Sequence, residues 1–259
     1  MKVIAFMNQK GGVGKTTTTF HYASYLTSLG KKVLTIDLDA QGSISFCFGA
    51  KTRNENTLYE FLVGEATFEE TVQHCKYGDI IPSDNAIGIY VDNIQALANR
   101  YSVLKERMKP YISQYDYILL DCPPNINIYN FNALNFCDYV VIVVQAEALS
   151  LLGLPQVFNY INNCKRGFSR DIKIAGILIT MYNGVLKVSK AMLQQLVKLC
   201  EEYDILSYNT LVKKLSAIST ATMSQMSVFD FAPKSQAAEL YKLACDEIYE
   251  SIEGENSDE

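Results

Sequence analysis

Residues 9–17 read Gln-Lys-Gly-Gly-Val-Gly-Lys-Thr-Thr and follow directly on the apolar run Val3-Ile4-Ala5-Phe6-Met7. A short β-branched strand thus feeds a glycine-rich turn, and a helical stretch begins near Thr16. That order is what a phosphate loop requires. The glycines let the backbone curl so that successive N–H groups point at an anion, and the helix N-terminus adds its positive dipole end. Gly11, Gly12, Val13 and Gly14 supply this cradle, with Thr17 in the first helical turn. Lys15 is placed to reach the β- and γ-phosphates, and the Thr16 hydroxyl to complete magnesium coordination. The plain motif opens with glycine. Here Gln9 holds that place, and a second lysine, Lys10, stands inside the loop.

The alternation of the rest of the chain sets the fold. Near-continuous apolar runs at 2–7, 32–37, 116–121, 138–144 and 172–179 predict strands buried on both faces of a parallel sheet. Helix-period stretches at 15–29, 95–113, 127–136, 151–164, 189–203 and 235–251 separate them, and Gly30 stands where the first helix should stop. A short helix is expected near 57–63 and an extra strand near 86–91. The expectation is an α/β fold, a single doubly wound, mostly parallel sheet flanked by helices, with ligands at the carboxyl ends of the strands. One domain should occupy residues 1–250, with 251–259 an acidic, disordered tail.

Composition narrows the class. A chain of 259 residues can bury roughly three quarters of its unfolded surface without staples. The seven cysteines are scattered and never spaced as CxxC, which argues for reduced thiols over disulfides or zinc. No apolar run reaches the ~18 residues of a membrane span, and the N-terminus enters a core strand, so a cytoplasmic protein is expected. A net charge of −5 excludes a wholly basic nucleic-acid surface but leaves room for a local patch.

Two strand-end carboxylate sites accompany the loop. Asp37-Leu-Asp39-Ala-Gln41-Gly42 closes the second strand, and Asp121 closes the third, followed by Cys122-Pro123-Pro124. An apolar strand ending in Asp beside a phosphate loop is the Walker B arrangement, whose carboxylate holds the magnesium shell.

The set Lys10–Thr17, Asp37–Gly42, Asp121–Pro124, Val144-Gln-Ala-Glu147 and Thr180-Met-Tyr182 resembles the ParA/MinD superfamily of deviant Walker A ATPases. Within it the resemblance is to ParA (Soj-like) DNA-partition proteins, from Met1 to about Glu250. It implies weak ATP hydrolysis with magnesium and an ATP-driven face-to-face homodimer. Lys10 would reach the partner's nucleotide and Lys15 its own, while Asp39 positions the attacking water. Thr16, Asp37 and Asp121 would serve the metal, and Met181 and Asn183 would join the nucleotide-binding set. The chemistry agrees, because phosphoryl transfer needs positioning and charge neutralisation, and a lysine crossing an interface can act much as an arginine finger does.

The resemblance also implies non-specific duplex DNA binding by the dimer, nucleoid association, and release stimulated by a centromere-binding partition protein. Lys187, Lys190, Lys213, Lys214 and Lys234 are the candidate DNA contacts, since phosphate recognition needs only surface charge. Leu211-Val212-Lys213-Lys214 lacks the family's proline in that segment. Asn183-Gly-Val-Leu-Lys187 lacks the arginine that often follows Thr-Met-Tyr. The rival reading is a MinD-like membrane-cycling or other cargo-positioning ATPase. It calls for a basic amphipathic C-terminal helix, whereas this chain ends in Ser-Ile-Glu-Gly-Glu-Asn-Ser-Asp-Glu, so no membrane partner is expected. An iron–sulfur reductase on the same fold would need paired cysteines at a dimer face, and a tyrosine kinase a C-terminal tyrosine cluster. Neither pattern is present.

Overall fold

The computed structural model describes residues 1–254. In chain order the first half runs β1 (Lys2–Met7), α1 (Lys15–Ser28), β2 (Val33–Asp37), α2 (Ser43–Cys47), α3 (Leu58–Val63), α4 (Phe68–Thr71), β3 (Gln73–Cys75), β4 (Gly78–Ile81), α5 (Ala86–Ile89), α6 (Val91–Ala96) and α7 (Val103–Met108). A 3₁₀ turn at Ile112–Gln114 leads into β5 (Tyr117–Asp121), α8 (Ile128–Phe136), β6 (Tyr139–Gln145), α9 (Ala148–Phe168) and β7 (Lys173–Tyr182). The chain closes with α10 (Lys187–Glu202), β8 (Ser207–Lys213), α11 (Ser216–Met223), α12 (Val228–Phe231) and α13 (Gln236–Glu253).

The strands form one eight-stranded sheet in the order β3-β4-β2-β5-β1-β6-β7-β8. Among the described residues only the β3–β4 pair is antiparallel. Alternation along each strand divides the core into two layers. Val3, Ala5 and Met7 of β1 face the layer built with Leu58, Leu104, Leu134 and Phe158 from α3, α7, α8 and α9. Ile4 and Phe6 face the layer built with Phe20, Leu26, Tyr241 and Ile248 from α1 and α13. Burial on both faces explains why these strands read as unbroken apolar runs.

Several elements depart from the sequence expectation. The run at 86–91 is helical, because Ile87 and Ile94 are buried and Val91 packs against the same layer, a spacing of three to four. The extra strands lie instead at β3 and β4. The expected helix over 95–113 breaks between Leu97 and Ser102, where α8 holds the backbone open. Asn132 Nδ2 donates to the Arg100 carbonyl at 2.7 Å, and Asn132 Oδ1 accepts from the Leu104 N–H at 3.1 Å. The edge strand β8 follows α10 and alternates buried Tyr208, Thr210 and Val212 with outward residues. The last helix runs to Glu253 with Ile252 buried, so 251–253 belong to the fold, while 255–259 lie outside the described residues.

The β8 edge is fixed from two sides. Glu247 of α13 accepts from the N–H groups of Asn209 and Thr210 at 2.6 and 2.8 Å. Tyr208 lies across Gly176 of β7 and its hydroxyl meets Ser251 Oγ at 2.9 Å. A Cβ at position 176 would stand 2.5 Å from Tyr208 Cζ. Gly176→Ala is therefore expected to cost about 1–3 kcal/mol by overpacking, read as a lower urea midpoint at unchanged m-value. An unshifted midpoint would show that the ring moves aside freely.

Candidate nucleotide site

β1 lies in the middle of the sheet, paired to β5 on one side and β6 on the other, so the loop leaving its C-terminus is surrounded by other strand ends. Gly12 and Gly14 take φ of +74° and +92°, a region open to glycine at little cost. Neighbouring strands pin the loop. Asn8 Nδ2 donates to the Val143 carbonyl at 2.6 Å, and Thr180 Oγ1 donates to the Val13 carbonyl at 2.6 Å. Gly14 occupies the α1 N-cap position without a side chain, and the first turn carries no acidic residue. The first backbone N–H groups and the positive dipole end therefore remain available to an anion.

Lys15 is buried at the base of this loop, with Nζ donating to the Lys10 carbonyl at 3.2 Å. Burial pushes its pKa down, and Asp121, Cys122 and Asp39 oppose that shift. Thr16 Oγ1 donates to Asp121 Oδ2 at 2.7 Å. Asp121 sits in parallel register between Phe6 of β1 and Asp37 of β2, so the two carboxylates are neighbours across one strand pair. Burial drives both carboxyls up, Asp37 to about 8 with help from Asp121, and Asp121 to about 7 against the pull of Thr16 and Lys15.

An open cavity of about 680 Å³ lies over the loop. Gly11, Gly12, Gly14, Lys15, Thr16 and Thr17 form its floor, and Asp39, Gln41 and Pro124 stand on its walls. Asp39 is partly exposed there, its Oδ1 accepting from the Gln41 N–H at 3.0 Å. A hydroxyl and a carboxylate of the Thr16–Asp121 kind suit a hard cation such as magnesium, which keeps waters and phosphate oxygens as its other ligands. Asp37 lies beside Asp121 and is fully buried. Its Oδ1 accepts from the Asp39 N–H, and its Oδ2 from the N–H and Oγ of Ser45, so protein donors engage both oxygens.

Lys10 lies at the rim, half-exposed, and its ammonium pairs with the Glu147 carboxylate of the same chain. Met181 lines the cavity at φ +51°. Asn183 is not brought into either cavity; it is exposed and its Oδ1 accepts from the Val185 N–H at 3.1 Å. A second cavity of about 270 Å³ adjoins the first through Gly14, Thr17, Met181, Thr222 and Met223, and its far wall is apolar, with Val212, Leu215, Ile218 and Tyr241. Sequence reasoning missed this wall. It is built from β8 and α11, in the stretch 204–234 where the apolar pattern predicts no element. Lys213 and Lys214 are exposed at its mouth, Lys187 and Lys190 are exposed on α10, and Lys234 is exposed just before α13.

The fold and the loop together define a P-loop nucleotide-binding α/β protein. Residues 1–174 match the AAA-domain family. The chain is 30% identical over 243 residues to the sporulation initiation inhibitor protein Soj of Bacillus subtilis, covering 93% of this chain and 95% of Soj. It is 33% identical over 198 residues to the chromosome partitioning protein ParA of Myxococcus xanthus, covering 75% of this chain and 70% of that one. Cobyrinic acid a,c-diamide synthase from Mycobacterium smegmatis, solved with an ATP analogue and magnesium, superposes with a TM-score of 0.82 at 24% identity, covering 96% and 95% of the two chains. This chain belongs to the AAA-domain family and, within it, to the ParA/Soj-type ATPases of the ParA/MinD superfamily. Among the described residues no helix is long and apolar enough to cross a membrane.

The buried carboxyls carry a stability consequence. A carboxyl raised to about 8 in the folded state keeps a proton that the unfolded chain releases near pH 4. Its contribution is present below about pH 4 and is lost as pH rises through about 8. Above about pH 6.5, where the buried His21 no longer contributes a slope, the thermal midpoint of the nucleotide-free protein should therefore fall up to about pH 8.5, and fall less in Asp37→Asn. An equal fall in both proteins would place the titration elsewhere.

Proposed function

We propose that this chain is an ATP-dependent DNA-partition ATPase, in which ATP drives a sandwich homodimer that binds duplex DNA without sequence preference. Hydrolysis, slow alone and stimulated by a centromere-binding partner, then releases the dimer. The observation that carries the reading is Lys15 and Thr16 on the floor of the 680 Å³ cavity, at an uncapped helix N-terminus, with the buried Asp121 hydrogen-bonded behind Thr16. Further support comes from the likeness to Soj and to ParA, the latter named as a chromosome partitioning protein.

On this reading the loop N–H groups and Lys15 bind the triphosphate, and the adenine enters the apolar cavity beside Met181. Thr16 and Asp121 are the residues that would hold magnesium, which supplies charge neutralisation on the phosphate oxygens. Asp39 orients the attacking water. Lys10 leaves Glu147 and crosses to the partner's phosphates, where a cation stabilises the charge that develops in the transition state. DNA contact falls to Lys187, Lys190, Lys213, Lys214 and Lys234, which the two-fold dimer presents in duplicate. Binding by such surface lysines should weaken steeply with salt.

Light scattering and filter binding to duplex DNA, run with ATP on three proteins, test the scheme. The wild type should dimerise and bind DNA only with ATP. Lys15→Ala should lose nucleotide binding and both later steps. Lys10→Ala should bind ATP but stay monomeric and off DNA. Full ATP affinity in Lys15→Ala would sink the site assignment, and a normal ATP dimer that also hydrolyses normally in Lys10→Ala would make Lys10 a bystander.

A further inference from the structure

Beneath the turn that carries Asp39 lies a buried polar cluster that phosphate binding does not require. Asp37, Ser45 and Ser83 are each at most 1% exposed. Ser45, on α2, donates through Oγ to Asp37 Oδ2 at 2.6 Å and through its N–H to the same oxygen at 3.1 Å. The Ser45 Oγ also accepts from the Ser83 N–H at 2.9 Å. Asp37 Oδ1 in turn accepts from the Asp39 N–H at 3.0 Å. One hydroxyl therefore joins three segments: the end of β2, the start of α2, and the chain after β4.

The turn itself is clamped from the same direction. Gly42 takes φ +63°, and a Cβ there would stand 2.8 Å from the Ser83 carbonyl oxygen. A Cβ on Gly88 would come within 3.2 Å of Ala40 Cβ. Residues 39–42, closed by the Gly42 N–H to Asp39 carbonyl bond at 3.0 Å, thus rest on the 83–88 segment with no slack. Ser45 lines neither cavity, and both of its donors go to Asp37 Oδ2.

We propose that Ser45 is the positioning residue of the hydrolytic step: through Asp37 and Ser83 it fixes the Asp39 turn against the cavity, and Asp37 acts as the anchor of that turn. This rests on the reading of Asp39 as the group that orients water. A misplacement of about 1 Å at a reacting group costs on the order of 100-fold in rate, so loosening this turn lowers kcat and leaves the phosphate grip of Lys15 intact.

The experiment combines steady-state ATPase kinetics with hydrogen exchange on the full chain, for wild type, Ser45→Ala, Ser45→Thr and Gly42→Ala. In nucleotide-free Ser45→Ala, exchange at the Asp39 and Ser83 amides should rise on the order of tenfold or more, as local opening becomes cheaper. With Mg-ATP its kcat should fall on the order of 10- to 100-fold while the ATP KM stays within about twofold. Ser45→Thr keeps the hydroxyl and should recover most of the rate. Gly42→Ala leaves Ser45 in place, displaces the same turn from the other side, and should reproduce the fall in kcat. Unchanged amide exchange in Ser45→Ala overturns the anchor, whatever the activity. Unchanged kcat, or a loss carried by KM, overturns the positioning role. A wild type without ATPase activity would fail the functional reading instead, and the exchange data would still decide whether Ser45 holds the turn.

Discussion

The pairing of β2, β5 and β1 in parallel register is the constraint on which the rest of the molecule depends. It sets Asp37 opposite Asp121 and Asp121 opposite Phe6, so two carboxylates end adjacent strands beside the loop that leaves β1. Both are almost fully buried, and desolvating a carboxylate is costly unless donors or cations compensate. Three protein donors engage Asp37, whereas Asp121 has Thr16, a long contact from Thr19, and the charge of Lys15. The two acids therefore differ in their partners: Asp37 is held by groups of its own turn and of α2, and Asp121 by Thr16 and Lys15, which line the cavity floor. A cation held beside Thr16 would favour the charged form of Asp121.

The hydrophobic layers serve that arrangement. Strands buried on both faces cannot slip by one residue without sending apolar side chains into the opposite layer, and that fixes the depth of each strand end. Helix α1 is packed through Phe20, Tyr22 and Leu26, which holds its N-terminus, and with it Lys15 and Thr16, at a set distance from Asp121. His21 in the same helix is fully buried among Phe20, Phe229 and Tyr241, and burial holds its pKa near 3. It is a neutral packing residue, consistent with a phosphate site that makes no use of imidazole.

Much of this was legible in the sequence because the signals were dense and local. The loop, its flanking strand and helix, and the strand-end aspartates each occupy a few consecutive residues, and the five central strands read as apolar runs. What escaped depended on tertiary partners. The break between α6 and α7 is stabilised by Asn132 from α8, invisible in the local pattern. The helix at 86–89 resembles a strand until the burial of Ile87 and Ile94 gives the period. β8 alternates, with Asn209 and Thr210 in its middle, so it gives no unbroken apolar run, and the apolar cavity behind Lys213 and Lys214 was lost with it. The bond from Ser45 to Asp37, spanning eight residues, has no signal in the local pattern either.

Titration calorimetry of the chain with ATP, with and without magnesium, tests the central claim most directly. The account predicts one ATP bound per chain, tightened by magnesium. In Asp121→Asn that tightening should shrink by a factor of about 10–100, with magnesium-free binding largely retained. ATP binding indifferent to magnesium in the wild type, or a magnesium effect undiminished in Asp121→Asn, would contradict it.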